Sequence, residues 1–391
     1  MREGWIKKKL GDVCQVSAGQ GAPQGEDNYS DVGIPFVKAG NLVELINGKQ
    51  ESDIQKVSDE VAKTHRLALY KAGSVVFAKS GMSCMKGHVY TLKNDCYVVS
   101  HLAILQPKSI GSTYLNYYLQ HHKPNNLIKD EGYPSISLKD IENSTISMPS
   151  NIEQESRVVS ELDKINELIR LKQEQLKDYD NLAQSIFYEM FGEPVVNEKG
   201  WEERTMQDLC VNIVDCPHST PKKVDYITDY PCIRTSELRG GSISWATMQY
   251  LDEDEYNIRI ARLKPEAGDI VFGREGTIGD AVILPLGYNF SLGQRTMLLR
   301  ADTSIVSNVF LHRTILSDWI KHQIEYVNVS STVAHVNIKD FKKFTVPIPP
   351  LPLQQLFAQR IELIEKQKAE VQRTIADLET LLASRMQYWF D

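Results

Sequence analysis

No stretch of this 391-residue sequence approaches the run of about 18 apolar residues that a membrane-spanning helix needs. The charged opening, MREGWIKKKL, has no apolar core of the kind a secretory signal carries, so a cytoplasmic location without membrane contact is expected. Cysteines are few, at positions 14, 84, 96, 210, 216 and 232, and none forms a Cys-x-x-Cys pair. A reducing compartment leaves such residues as thiols. Cys216, His218 and Cys232 would make a zinc site only with a fourth ligand at a recognisable spacing. None follows, and structural zinc usually takes four ligands in tight pairs, so no metal is expected.

The signatures of common enzymes are also missing. There is no G-x-x-x-x-G-K-[ST] phosphate loop, no G-x-G-x-x-G after a strand, no G-x-S-x-G elbow and no H-E-x-x-H. An Asn-Pro-Pro-aromatic motif of amino methyltransferases is absent too. FGREGTIGD at 272–280 has the glycines of a tight loop but matches an anion cradle poorly. None of the nine histidines has a spacing that suggests a catalytic pair. A site around Asp215, Cys216 and His218 is the one enzymatic alternative, because a Cys nucleophile needs a base within hydrogen-bond reach.

What the sequence does contain is itself, twice. GWIKKKLGDVC at 4–14 matches GWEERTMQDLC at 200–210, and PFVKAGNL at 35–42 matches PCIRTSEL at 231–238, both at an offset of 196. AGSVVFAKSG at 72–81 then matches AGDIVFGREG at 267–276, and ISLKD at 136–140 matches VNIKD at 336–340. Small slips in offset within a kept order are what loop insertions produce. A duplication of a unit near 200 residues is the simplest account.

Within each copy the texture changes once. Short apolar runs broken by Gly, Pro and Asn read as short strands and turns with a few helices. Residues 152–190 and 353–390 differ, with no Gly, no Pro and apolar residues at spacings of three and four. The first seam runs through Val158, Leu162, Ile165, Ile169, Leu176, Tyr179, Ala183, Ile186 and Met190. The second runs through Ile361, Ile364, Val371, Ile375, Leu378, Leu382 and Trp389. Such seams predict two long helices packed as a coiled coil, each about 57 Å long. Lys172, Lys368 and Arg385 interrupt them; their stems can lie along the seam with the charge in water, or polar seam residues can fix register. PSNIEQ and PLPLQQ, matched at an offset of 200 so that Gln154 faces Gln354, mark the helix starts. The expected fold is therefore α+β: mixed α/β domains at 1–150 and 193–348, and long antiparallel helices at 151–192 and 349–391, related by a pseudo-twofold axis.

The W-x(6)-D-[VL]-C openings, the PFVKAGNL and PCIRTSEL segments and the Pro-containing helix entries, in this order twice, resemble the specificity subunits of type I restriction-modification systems. The resemblance covers essentially the whole chain. It implies two target recognition domains, each reading one half of a split site in double-stranded DNA. It also implies that the long helices set the half-site spacing and dock two methyltransferase (modification) subunits, with restriction subunits joining for cleavage. On this reading the chain is non-catalytic and holds no cofactor; S-adenosylmethionine, ATP and Mg belong to partner subunits. Helices of this length suit readers placed about one DNA turn, ~34 Å, or more apart.

Charge gives no support by itself. DNA binders normally concentrate Lys and Arg for phosphate contacts, yet the chain is net −7. Residues 1–150 carry 17 basic against 15 acidic side chains and residues 200–348 carry 16 against 19, so the excess acid lies mostly on the helices. Repeat-matched polar residues in turn-like surroundings are the candidate DNA contacts: Lys38, Asn41, Lys79, Lys86, His101, Tyr133, Ser135 and Ser137 in the first copy. The second copy offers Arg234, Ser236, Arg239, Arg274, Gln294, Arg295, Ser330, Ser331, His335 and Asn337. Lys and Arg suit phosphates or guanine edges, and amides suit adenine. The competing reading is that hydroxyls and amides in turns cap local backbone, that Lys139-Asp140 and Lys339-Asp340 are structural, and that Trp5 and Trp201 are core anchors. Leu162, Ile165, Ile169, Leu176, Tyr179, Ile361, Ile364, Val371, Ile375 and Leu378 are the candidate partner-docking residues. The main alternative function is a paired-domain scaffold that binds protein or glycan.

Overall fold

The computed structural model describes residues 4–193, 195–328 and 335–391, and the chain divides into two compact units. Unit 1 comprises residues up to 173 together with 373–391; unit 2 comprises 174–372. The division crosses both long helices, so each unit owns half of each. Among the described residues no helix is long and apolar enough to cross a membrane.

Both units are built on the same sheet. In unit 1 the antiparallel order is Cys14–Ala18, Leu102–Pro107, Val75–Ala78, Val89–Thr91; in unit 2 it is Cys210–Asp215, Thr296–Ala301, Ile270–Gly273, Ala281–Ile283. Val75, Val76 and Phe77, like Ile270, Val271 and Phe272, are shielded on both faces, which is why these runs read as unbroken apolar stretches rather than alternating ones. A smaller sheet in each unit includes one parallel pair, Ile34–Val37 with Tyr97–Val98 and Pro231–Ile233 with Ser291–Leu292. Each unit is closed by an antiparallel pair of its first and last strands, Trp5–Lys9 with Thr145–Pro149 and Glu202–Thr205 with Thr345–Ile348. The glycine-rich segment at 273–280 is a tight connection: Gly273 N–H donates to Asp280 O, and a Cβ on Gly273 would meet Thr277 O at 2.7 Å.

The long helices are Ile152–Phe191 and Leu351–Phe390, 40 residues each. Asn151 Oδ1 accepts from Gln154 N–H at 2.8 Å and caps the first; Pro352 sits in the first turn of the second, where its missing N–H costs nothing. Equal length and equivalent contacts align the helices at an offset of 199 rather than the expected 200. Glu155 Oε1 accepts from Gly111 N–H at 2.7 Å, and Gln354 Oε1 accepts from Ser307 N–H at 2.8 Å. Gln354 thus answers Glu155, not Gln154. Each helix ends in a phenylalanine sunk into an aromatic nest of its unit: Phe390 with Tyr114 and Tyr118, Phe191 with Phe310 and Phe357.

Within each unit the two half-helices run antiparallel. In unit 1 Arg385 and Trp389 donate to Glu161; in unit 2 Lys368 Nζ donates to Asp180 Oδ1 at 2.7 Å while Phe187 packs on Phe357. Arg385 and Lys368 therefore do not simply extend to water from the seam. They bind the opposite helix, which is the arrangement that fixes register. Trp5 is a core residue, stacked on Trp389 at 6.3 Å, whereas Trp201 is only half-buried and donates from Nε1 to Phe191 O.

Candidate nucleic-acid interface

The duplicated sheet presents the same three-loop rim in each unit. In unit 1 Lys79 N–H donates to His101 O, Ile136 N–H donates to Lys79 O, Gly81 N–H donates to Pro134 O, and Ser80 bridges to Ser135. In unit 2 Arg274 N–H donates to Arg295 O, Val336 N–H donates to Arg274 O, and Glu275 bridges to His335. Strand-end loops are thereby locked together by backbone hydrogen bonds, and their side chains are free to differ between the copies. This is how a constant scaffold carries a variable surface.

These bonds also set the true register. Matching VVSHLAIL to SLGQRTMLL by sequence puts His101 opposite Gln294; the bonds put it opposite Arg295, because the carbonyl oxygens of His101 and Arg295 accept from the matched N–H groups of Lys79 and Arg274. Ser80 Oγ meets His101 Nδ1 at 2.8 Å, and the matching pair in unit 2 is Glu275 with Arg295 Nε at 3.3 Å. Arg295 is held at φ +65, a left-handed conformation that a non-glycine residue adopts only when its surroundings impose it, and its side chain is 63% exposed. Lys86, Tyr133 and Ser135 are exposed on the unit 1 loops, as are Arg239 and His335 in unit 2. Ser330 and Ser331 lie outside the described residues.

Several other candidates are committed elsewhere. Asn41 Oδ1 accepts from Lys38 N–H at 2.9 Å, and Lys38 Nζ donates to Gln55 at 2.7 Å while lying 4.0 Å over the Tyr29 ring. The unit 2 counterpart of Asn41 is Glu237, not Ser236. It is fully buried, accepts from Arg234 N–H, and pairs with the Arg234 guanidinium through bonds of 2.6 and 3.1 Å. Ser236 donates to the same carboxylate. Arg234 and Ser236 thus neutralise and satisfy a buried charge, a role that leaves them poorly placed to read bases. Ser137 and Asn337 are the N-caps of helices Leu138–Asn143 and Ile338–Phe341. For these residues the capping interpretation holds. The Lys-Asp pairs are divided: Asp140 accepts from Ser137 and Lys129, Asp340 from Asn337, and Lys139 and Lys339 are exposed.

The helix seam residues offered for partner docking are turned inward. Leu162, Ile165, Ile169, Ile361, Ile364 and Val371 are buried within the chain and Leu176, Tyr179, Ile375 and Leu378 are half-buried, so most of that seam is occupied by the chain itself. The apolar side chains these helices expose are others, among them Leu168, Leu171, Leu182, Leu363 and Leu381, 45–63% accessible.

The cluster around Asp215, Cys216 and His218, the enzymatic alternative, supports the unit 2 rim. Arg274 Nη1 donates to Asp215 Oδ1 at 2.6 Å, His218 Nε2 lies 3.3 Å from Asp215 Oδ2, and Gln294 Nε2 donates to His218 O at 2.8 Å. Arg259, fully buried and paired with Glu255, donates to Ser219 O and Leu292 O and so ties the His218 loop to the strand leading into Gln294 and Arg295. Burial raises the Cys216 thiol above its ordinary range, the opposite of what a thiolate nucleophile needs. Burial likewise pushes the Cys232 thiol up to about 11, and Cys216, His218 and Cys232 do not converge on a common point. Asp215 and His218 went unassigned to DNA in the sequence because unit 1 has Ala18 where unit 2 has Asp215, so the repeat gave no signal.

Comparison with known proteins identifies the lineage. Residues 2–178 and 198–380 match the type I restriction modification DNA specificity domain, and the chain belongs to that family. It is 21% identical over 406 residues to the putative MjaX type I restriction enzyme specificity subunit of Methanocaldococcus jannaschii, across 97% of this chain and 93% of that one. It is 29% identical over 151 residues to the MjaIX specificity subunit of the same organism, spanning 38% of this chain and only about a third (34%) of that relative's length. Its fold is similar to the crystal structure of the type I restriction-modification S subunit from M. genitalium, with a TM-score of 0.56, 11% identity, and coverage of 99% and 96% of the two chains. A structure from a study of type I system assembly and conformational transition gives a TM-score of 0.54 at 16% identity.

Proposed function

We propose that this chain selects DNA for a type I restriction-modification assembly, with unit 1 reading one half of a bipartite duplex target and unit 2 the other. The observation that carries this reading is the duplicated three-loop rim, which carries Lys79, Lys86, His101, Tyr133 and Ser135 in one unit and the exposed Arg295 and His335 in the other. These residue types serve phosphates, guanine edges and hydroxyl contacts. The chain is non-catalytic on this reading and works in the cytoplasm. S-adenosylmethionine chemistry is supplied by two modification subunits, and ATP and Mg act on restriction subunits. The modification subunits dock on the outward leucines of the long helices, Leu168, Leu171, Leu182, Leu363 and Leu381, in place of the seam residues.

The test is methylation mapping. The chain is co-expressed with its candidate modification subunits, and methylated positions in plasmid DNA are sequenced. Methylation confined to a split motif supports the reading. Methylation without sequence preference, or unchanged by the rim variants H101A and R295A, contradicts it and favours a scaffold for protein or glycan ligands.

A further inference from the structure

At one edge of unit 1, the end of the second long helix meets the end of helix Ser112–His121. His121 Nε2 lies 2.7 Å from Asp391 Oδ1, and His122 Nε2 lies 3.1 Å from Phe390 O. The two imidazoles stand edge to face, 4.8 Å between centres. One ligand atom from each of His121, His122 and Asp391 falls within 4.8 Å of the others, the one such group of His, Cys, Asp or Glu found among the described residues. Phe390, buried against Tyr114 and Tyr118, fixes the backbone that carries Asp391.

We propose that His121, His122 and Asp391 form a binding site for one divalent transition-metal ion of the zinc class, which fastens the second long helix to unit 1. Two imidazoles and a carboxylate suit zinc, cobalt or nickel rather than magnesium or calcium, which prefer all-oxygen shells. Both helices also end here, and their terminal carbonyls favour a cation. Bonds of about 2.0–2.1 Å in a tetrahedral site put ligand atoms roughly 3.3 Å apart. The His121 to Asp391 contact then needs to open only slightly, with His122 turning off Phe390 O. Three protein ligands leave a fourth position open. A half-open cavity of about 820 Å3 adjoins the site, lined by His122, Asp391, Lys7 and Lys123 among others, and has room for the water or anion that completes the shell.

The experiment uses the untagged full chain, stripped with a chelator and titrated with cobalt(II) and then zinc(II) chloride. One equivalent should bind, giving visible cobalt bands typical of nitrogen and oxygen ligands without a thiolate charge-transfer band. H121A, H122A and D391N should each weaken binding at least about tenfold, and zinc at a concentration near the wild-type Kd should raise the Tm of the wild type and of the control H65A by clearly more than that of any of the three. Thermal melts of the metal-free variants establish that each is folded, and D391N serves if a histidine variant is not. Absence of saturable binding, a thiolate band, or undiminished affinity in the ligand variants overturns the proposal.

Discussion

Arg274 donates from Nη1 to Asp215 Oδ1 at 2.6 Å, with both side chains largely shielded from solvent, 12% and 18% exposed. Lys79 holds the same place in unit 1, but the strand position matching Asp215 there is Ala18. The rim of unit 2 is therefore pre-set by an ion pair that unit 1 lacks. Removing one partner of a shielded, charge-assisted hydrogen bond leaves the other poorly satisfied, so D215A should cost about 2 kcal/mol in urea unfolding and loosen recognition by unit 2 alone. An unchanged midpoint would mean that the pair contributes nothing.

The two rims should be separable. H101A should relax discrimination at the half-site read by unit 1, and R295A at the other. Loss of a base-edge contact costs about 1–3 kcal/mol at one position, whereas loss of a phosphate contact lowers the salt slope by about 1 without changing preference. Binding titrations at several salt concentrations, on targets with one half scrambled at a time, tell these apart. If either variant altered both half-sites equally, the one-unit-one-half scheme would be wrong.

His312 makes stability depend on pH. It is almost completely buried, donates from Nε2 to Ala281 O at 2.9 Å, and burial pushes its pKa down from 6.5 to about 4. The unfolded chain therefore binds a proton more readily than the folded one between these values. Stability is full above about pH 6.5 and falls as pH drops towards 4, by an amount on the order of 3 kcal/mol. Urea midpoints measured across that window for the wild type and H312N should diverge from each other as pH falls, the variant losing less.

Glu161 behaves in the opposite structural sense with the same pH direction. The Arg385 guanidinium and the Trp389 indole hold its carboxyl below the ordinary 4.5. The pair's contribution is present above 4.5 and is lost as pH falls through the lowered value; because both groups are about a third exposed it is about 1 kcal/mol or less. E161Q should be slightly less stable than the wild type at pH 7, with the gap closing in acid. A gap that widened in acid would mean that the carboxylate is not the stabilising species.

Phe357 tests the helix docking. It is fully buried among Phe187 and Phe191 of the other long helix, and F357A should cost about 3–5 kcal/mol by leaving a cavity between these rings. Urea unfolding with full-chain protein measures it.

Elements set by local periodicity were legible in the sequence. The seams through Val158, Leu162 and Ile165 and through Ile361 and Ile364 are the buried stripes of the two helices, and the duplicated strands follow from matched apolar runs. Positions set by long-range bonding were not. His101 aligned with Gln294 because one residue of slip is invisible until the bonds to Lys79 and Arg274 fix the register. Ser236 drew attention away from Glu237, whose carboxylate occupies the position of the Asn41 amide: the repeat keeps the cap but changes its chemistry. Arg234 looked like a reader because a sequence shows a charge and not the buried partner that neutralises it.

The proposed function assigns one half-site to each unit. Selection from a random duplex pool, with the chain bound to its modification subunits and repeated at two salt concentrations, tests it most directly. Enrichment of a split motif with one fixed unspecified gap is expected, with R295A degrading one half and H101A the other. Uniform, strongly salt-dependent binding with no motif, or a single uninterrupted motif, would contradict it.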